Sequence, residues 1–76
     1  MDRLKYSAIF ERSTDGSICG YCPELPGATG AGDTLEEAKE SLREGVRLWI
    51  ELREEEGWPI PKPSVVAIDT IEVDAA

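Results

Sequence analysis

The stretch Gly32-Asp33-Thr34-Leu35-Glu36-Glu37-Ala38 constrains this chain most, because it starts a helix that takes up nearly a third of the sequence. Thr34 can accept a hydrogen bond from a backbone N–H in the first turn, and Glu37, three residues on, can reach back to complete a capping box. From there Leu35, Ala38, Leu42, Val46, Trp49 and Leu52 recur at threes and fours, which lines one face of an α-helix. Gly57 stands at the C′ position with Pro59 just beyond, and together they stop the helix. The spacing predicts a helix over residues 34–56, roughly 34 Å long at ~1.5 Å per residue. Such a helix can lie across a whole small sheet.

The strands follow from alternation and turn chemistry. Leu4, Tyr6, Ala8 and Phe10 alternate with Lys5, Ser7, Ile9 and Glu11, which predicts a first strand with one face towards a core. Asp15-Gly16 is a hairpin signal, since both residues tolerate positive φ, and it leads into a second, antiparallel strand over residues 17–22. The prolines of Pro23-Glu24-Leu25-Pro26-Gly27 remove ladder donors and make that segment a rigid turn. Residues 28–31, with small side chains, read as a short edge strand.

After the helix, the proline-dense Trp58-Pro59-Ile60-Pro61-Lys62-Pro63 enforces an extended connector. Residues 65–73 read as a last strand, although Val66 and Ile68 point one way and Ile71 and Val73 the other. Either a bulge near Asp69-Thr70 reconciles them, or the strand ends there and leaves a tail for a partner. The expected fold is α+β with the order β-β-β-α-β: a single small sheet with one long helix on one face. A right-handed crossover would give the strand order 3-2-1-4. The other sheet face, which carries Ile9, is left uncovered and is a natural place for a dimer or partner contact.

At 76 residues the chain is a single domain, 1–76, whose small core favours oligomerisation or a partner. The net charge is −8 with no histidine, and the Lys and Arg residues are scattered, so a phosphate backbone would be repelled and a basic protein attracted. Met1-Asp2-Arg3-Leu4-Lys5 carries charges and is followed by no apolar run, which argues against a signal peptide or membrane span and for a cytoplasmic protein.

Cys19-Gly20-Tyr21-Cys22 is a C-x-x-C, but it falls in a strand, where residues three apart lie on opposite faces and about 10 Å apart. A disulfide needs Cα atoms within about 7 Å. Two thiols without histidine also fall short of a zinc set unless a dimer shares four. The pair therefore reads as two small buried or interfacial thiols, with redox or zinc chemistry as the sharper alternative.

The glycines at 27, 30 and 32 lack the order of a dinucleotide fingerprint, and Asp33 stands where a Walker lysine would be. Glu36, Glu40 and Glu44 can pair with Lys39, Arg43 and Arg47 along a solvated helix face. Glu54-Glu55-Glu56 oppose the helix dipole and would suit a basic partner. Without histidine there is no ordinary general base near neutral pH, so no enzyme, metal or cofactor site is expected. Trp49 at helical spacing reads as core. Trp58 reads as a lid on the sheet edge or an interface anchor.

The run from Gly20 through Pro23-Glu24-Leu25-Pro26-Gly27, then Gly32-Asp33-Thr34-Leu35-Glu36-Glu37-Ala38, with Ile60-Pro61-x-Pro63 after the helix, resembles the HicB family of antitoxins. The resemblance implies a partial ribonuclease H-like fold, in agreement with the order above. It also implies a protein that binds and occludes a small basic HicA-type toxin, a messenger-RNA-cleaving ribonuclease that uses a histidine. No catalytic role transfers, because there is no acidic residue between Tyr6 and Phe10 to hold a magnesium ion. Many relatives continue into an operator-binding domain; this chain stops at Ala76, so operator binding is not expected. The candidate partner-binding residues are Tyr21, Pro23, Glu24, Leu25, Pro26, Gly27 and Trp58. The alternative from another class is a solitary HicB-fold oligomer without a toxin partner.

Overall fold

The computed structural model describes residues 4–75; Met1, Asp2, Arg3 and Ala76 lie outside the described residues, and with them most of the segment weighed as a possible signal peptide. Three strands, β1 (Ile9–Arg12), β2 (Ile18–Tyr21) and β3 (Thr29–Gly32), precede one helix, α1 (Leu35–Glu56). The strands form an antiparallel meander in the order β1-β2-β3, with Phe10 opposite Gly20 and Gly20 opposite Gly30. The class is α+β, as the patterning predicts.

Helix α1 begins and ends where the sequence places its signals. Thr34 is extended, and its hydroxyl accepts from the Glu37 N–H at 3.1 Å. Gly57 takes the left-handed conformation at φ 71°; its N–H reaches the Glu54 carbonyl and the Trp58 N–H reaches that of Arg53. These two bonds make a Schellman stop, which satisfies carbonyls the helix leaves open. Arg43 pairs with Glu40, and Arg47 pairs with both Glu44 and Glu51 along the solvated face.

The helix lies mainly over β3. The contact is made by backbone rather than by interlocking large side chains. A Cβ at Gly30 would overlap the Leu42 backbone, and one at Gly45 would stand 2.5 Å from the Thr29 carbonyl oxygen. Ser41 Oγ accepts from the Ala31 N–H at 3.0 Å, which ties the helix to the strand directly. Cys22, Leu25, Ala28 and Leu42 form the buried core, with Tyr6, Phe10, Val46 and Trp49 packed around it. Leu35 and Leu52, at the two ends of the apolar stripe, remain exposed because the sheet is shorter than the helix.

Two expectations are corrected. The first strand is shorter than the alternation over residues 4–11 predicts, because its partner β2 ends at Tyr21, just before Pro23, and leaves residues 4–8 no ladder to join. The fourth strand is not formed: residues 65–75 have no regular secondary structure and pair with no strand, so the order 3-2-1-4 reduces to 3-2-1 among the described residues. Alternation signals a chain able to pair. Pairing also needs a neighbour that satisfies its N–H and C=O groups, and sequence pattern does not name one.

Two substitutions test this account of the fold. Gly30→Ala should cost roughly 1–3 kcal/mol, because the helix must lift off β3. Thr34→Ala should cost about 1 kcal/mol through the lost cap. Urea unfolding followed by circular dichroism reads both as lowered midpoints.

Candidate partner-binding surface

Proline and glycine build the turn after β2. Leu25 N–H bonds the Cys22 carbonyl and Ala28 N–H bonds that of Leu25, while Gly27 sits at φ 97°, a conformation in which a side chain would be strained. This backbone turns the middle of the segment inward and its flanks outward. Leu25 is wholly buried and Glu24 is 9% exposed, whereas Pro23, Pro26 and Gly27 face solvent.

Glu24 is the main structural finding of the turn. Its Oε1 accepts from the Ser7 N–H at 2.7 Å; its Oε2 accepts from the Ser64 N–H at 2.7 Å and the Val65 N–H at 3.1 Å. One carboxylate thus binds the segment entering β1 to the segment that follows the proline-rich connector. These donors, led by the Ser7 amide, hold the Glu24 carboxyl below the usual glutamate range. Tyr6 adds a second tie, its hydroxyl donating to the Pro61 carbonyl at 2.5 Å. Burial, followed by the nearby Glu24 charge, pushes the Tyr6 phenol up. Sequence reasoning placed Glu24 in the turn but missed Ser7, Ser64 and Val65, whose contribution is backbone N–H and leaves no mark on residue type.

The turn is joined to the far end of the helix. Trp49 Nε1 donates to the Pro26 carbonyl at 2.9 Å, so Trp49 is partly core and partly a bracket. The Arg53 guanidinium lies 4.4 Å from the Trp49 ring centroid and 5.2 Å from that of Trp58. Trp58 therefore caps the helix end through Arg53 and is not a lid on the sheet edge. It stays 56% exposed, and with Trp49, Leu52, Arg53 and Glu56 it lines a shallow groove of about 430 Å³.

Tyr21 belongs to a different surface. Gly20 faces the helix, so its neighbours in β2 face away, and the register places Ile9, Tyr21 and Thr29 in one row and Glu11, Cys19 and Ala31 in the next. This is the uncovered sheet face expected from the sequence. The two cysteines fall as the strand spacing predicts: Cys19 is exposed on that face, its sulfur 3.0 Å from Ser13 Oγ, and Cys22 is buried on the other. Burial, with the Glu24 charge second, pushes the Cys22 thiol up, the wrong direction for a reactive thiolate.

Of the seven residues singled out from sequence, then, Pro26 and Trp58 are linked through Trp49 and Arg53, and Pro23 and Gly27 lie on the same turn as Pro26. Tyr21 lies on the open sheet face, while Glu24 and Leu25 are turned inward. Among the described residues no helix is long and apolar enough to cross a membrane, and no group of three or more His, Cys, Asp or Glu side chains is placed to hold a metal ion.

Residues 6–74 match the family described as HicB_like antitoxin of bacterial toxin-antitoxin system. Two UPF0150 proteins of a Synechocystis strain are similar: one is 44% identical over 54 residues, covering 71% of this chain and 75% of the relative. The other is 36% identical over 61 residues, covering 80% and 77%. A UPF0150 protein of Thermoplasma acidophilum is 31% identical over 65 residues, covering 86% and 94%. The chain belongs to the HicB-like antitoxin family.

The Glu24 clamp has a pH signature. Because its carboxyl is held below the unfolded value of about 4.3, its stabilisation is complete above that pH and is lost as pH falls through the folded value. Glu24→Gln should flatten the loss of stability between neutral and acid pH and should speed amide exchange at Ser64 and Val65. Hydrogen-exchange NMR of the two proteins checks both effects.

Proposed function

We propose that this protein is an antitoxin that binds a small basic messenger-RNA-cleaving toxin of the HicA type and covers its active surface. Membership of the HicB-like antitoxin family over residues 6–74 carries the reading. The charge supports it: at −8, with Glu54, Glu55 and Glu56 exposed beside the Trp49–Trp58 groove, the surface complements a partner evolved to hold RNA. Blocking by steric cover needs no catalytic group on this chain, and we assign it no enzymatic activity and no cofactor. A cytoplasmic setting is where such a toxin meets its messenger RNA.

Tyr21, Pro23, Pro26, Gly27 and Trp58 are the proposed contacts. Trp58 would supply a buried anchor beside the turn's rigid backbone edge, and Tyr21 a separate anchor on the uncovered sheet face. Glu24 and Leu25 serve the same surface from within by fixing the turn's shape.

The experiment is isolation of this protein from its own cells at low salt, with bound proteins identified by mass, followed by an RNA-cleavage assay of the partner. A short, basic, histidine-containing protein whose cleavage stops at an equimolar amount of this chain is the expected result. Recovery of its own copies alone would favour the solitary oligomer instead. With the partner in hand, Trp58→Ala should weaken the complex by about tenfold or more. Association should also slow as salt rises from low to physiological strength. A salt-independent on-rate would remove charge steering from the proposal.

A further inference from the structure

The end of α1 carries an aromatic pair that already holds a guanidinium. Trp49 is fixed by its bond to the Pro26 carbonyl, and Trp58 by the Schellman stop, in which its N–H reaches the Arg53 carbonyl. Arg53 lies against both rings, 4.4 Å and 5.2 Å from their centroids. Arg43 and Arg47 take carboxylates along the helix, whereas among the described residues Arg53 takes none, although Glu56 stands three residues on. The two rings hold this guanidinium in preference to the nearby acid.

The groove beside this stack has room and charge left over. It encloses about 430 Å³ and is lined by Leu52, 58% exposed, by Trp58, 56% exposed, and by Glu56, which has no cationic partner among the described residues. Glu54 and Glu55 are exposed next to it, so the acids outnumber Arg53, and the C-terminal end of the helix dipole adds to their sign. An aliphatic side chain placed here would leave the acid unmatched, and an acidic one would be repelled. An ammonium would meet Glu56 as a point charge without stacking on the indole. Arginine meets all three demands: its methylene stem covers Leu52, its plane stacks on Trp58, and its forked donors reach the Glu56 carboxylate.

We propose that this groove is the seat for one arginine side chain of a basic partner protein, held by Trp58 and Glu56 beside the internal Arg53. The inference rests on the antitoxin reading for the identity of the partner; the seat itself is read from the groove. Because Trp49 and Trp58 are held in place by the turn and the helix stop, little side-chain freedom is lost when the arginine enters. The seat also gives the cover a chemical action. A protein that grips RNA presents arginines to phosphate, and an arginine stacked on Trp58 and paired with Glu56 is withdrawn from that task.

The test uses the full chain, labelled with nitrogen-15, in about 0.15 M salt, where screening cuts the reach of its general negative charge to about 8 Å. The probe is a capped Gly-Ser-Arg-Ser-Gly peptide at millimolar concentration, compared with the same peptide carrying lysine or citrulline in place of arginine. The arginine peptide should move the Trp58 indole N–H and the Glu56 amide, the lysine peptide should bind about threefold more weakly, and the citrulline peptide should move neither. Trp58→Leu and Glu56→Gln should each weaken arginine binding by about threefold or more, with the helical circular dichroism unchanged. Shifts spread equally over Glu40, Glu44 and Glu51, equal binding of the lysine peptide, or binding unchanged in Trp58→Leu would each overturn the proposal. A captured toxin blocked by a chain that fails these titrations would leave the antitoxin reading standing and remove the arginine seat. Arginine binding at Trp58 with no toxin recovered would uphold the seat and count against that reading instead.

Discussion

The rest of the structure depends on a close approach between α1 and β3 that only absent side chains permit. Gly30 meets the backbone of Leu42, Gly45 meets the carbonyl of Thr29, and Gly32 meets Glu37 and Ala38. With the backbones this near, many small dispersion contacts accumulate over a short length, and a four-residue strand suffices to seat a 22-residue helix. The same seating decides what is left open. A helix drawn over β3 cannot also cover β1, and the groove beside Phe10 is the consequence.

A second constraint is the Glu24 carboxylate. A buried acid without partners would be neutralised or expelled, whereas here three backbone N–H groups from two distant segments surround it. The cost of burial thus becomes a specific tie between residues near the two ends of the chain. It also sets the direction in which the proline-rich connector leaves the body, and so where the exposed apolar tail begins. The turn that holds Glu24 inward presents Pro23, Pro26 and Gly27 outward, which gives one short motif a structural side and a surface side.

The surface divides along similar lines. One helix face is a mesh of acid–base pairs that includes Arg47 between Glu44 and Glu51, and such exposed pairs contribute little to stability. The aromatic line from Pro26 through Trp49 and Arg53 to Trp58 is different. It links the turn to the helix end and leaves a large indole in water. The exposed acids Glu54, Glu55 and Glu56 stand beside it at the end of the helix.

Local chemistry was legible from residue types. Thr34 and Gly57 mark the helix because caps act within four residues of themselves, although the return bond expected from the Glu37 side chain does not form, and Asp15-Gly16 marks the hairpin for the same reason. The opposite facing of Cys19 and Cys22 follows from strand geometry alone, and the motif around Pro23-Glu24-Leu25-Pro26-Gly27 carried the family. Which segments meet across the chain was not legible. Gly45 looks like a weak point in a helix until Thr29 is seen against it. Glu24 looks like one more acid until Ser64 and Val65, about forty residues on, are found donating to it. Residues 65–73 alternate like a strand, yet lie unpaired, because pairing depends on a free edge within reach. Sequence by itself determined the helix, its caps, the turns and the charge, all set by interactions between near neighbours. Only the tertiary structure decided the seating of the helix, the Glu24 clamp and the unpaired tail, because those depend on backbone groups that every residue shares and no residue type announces.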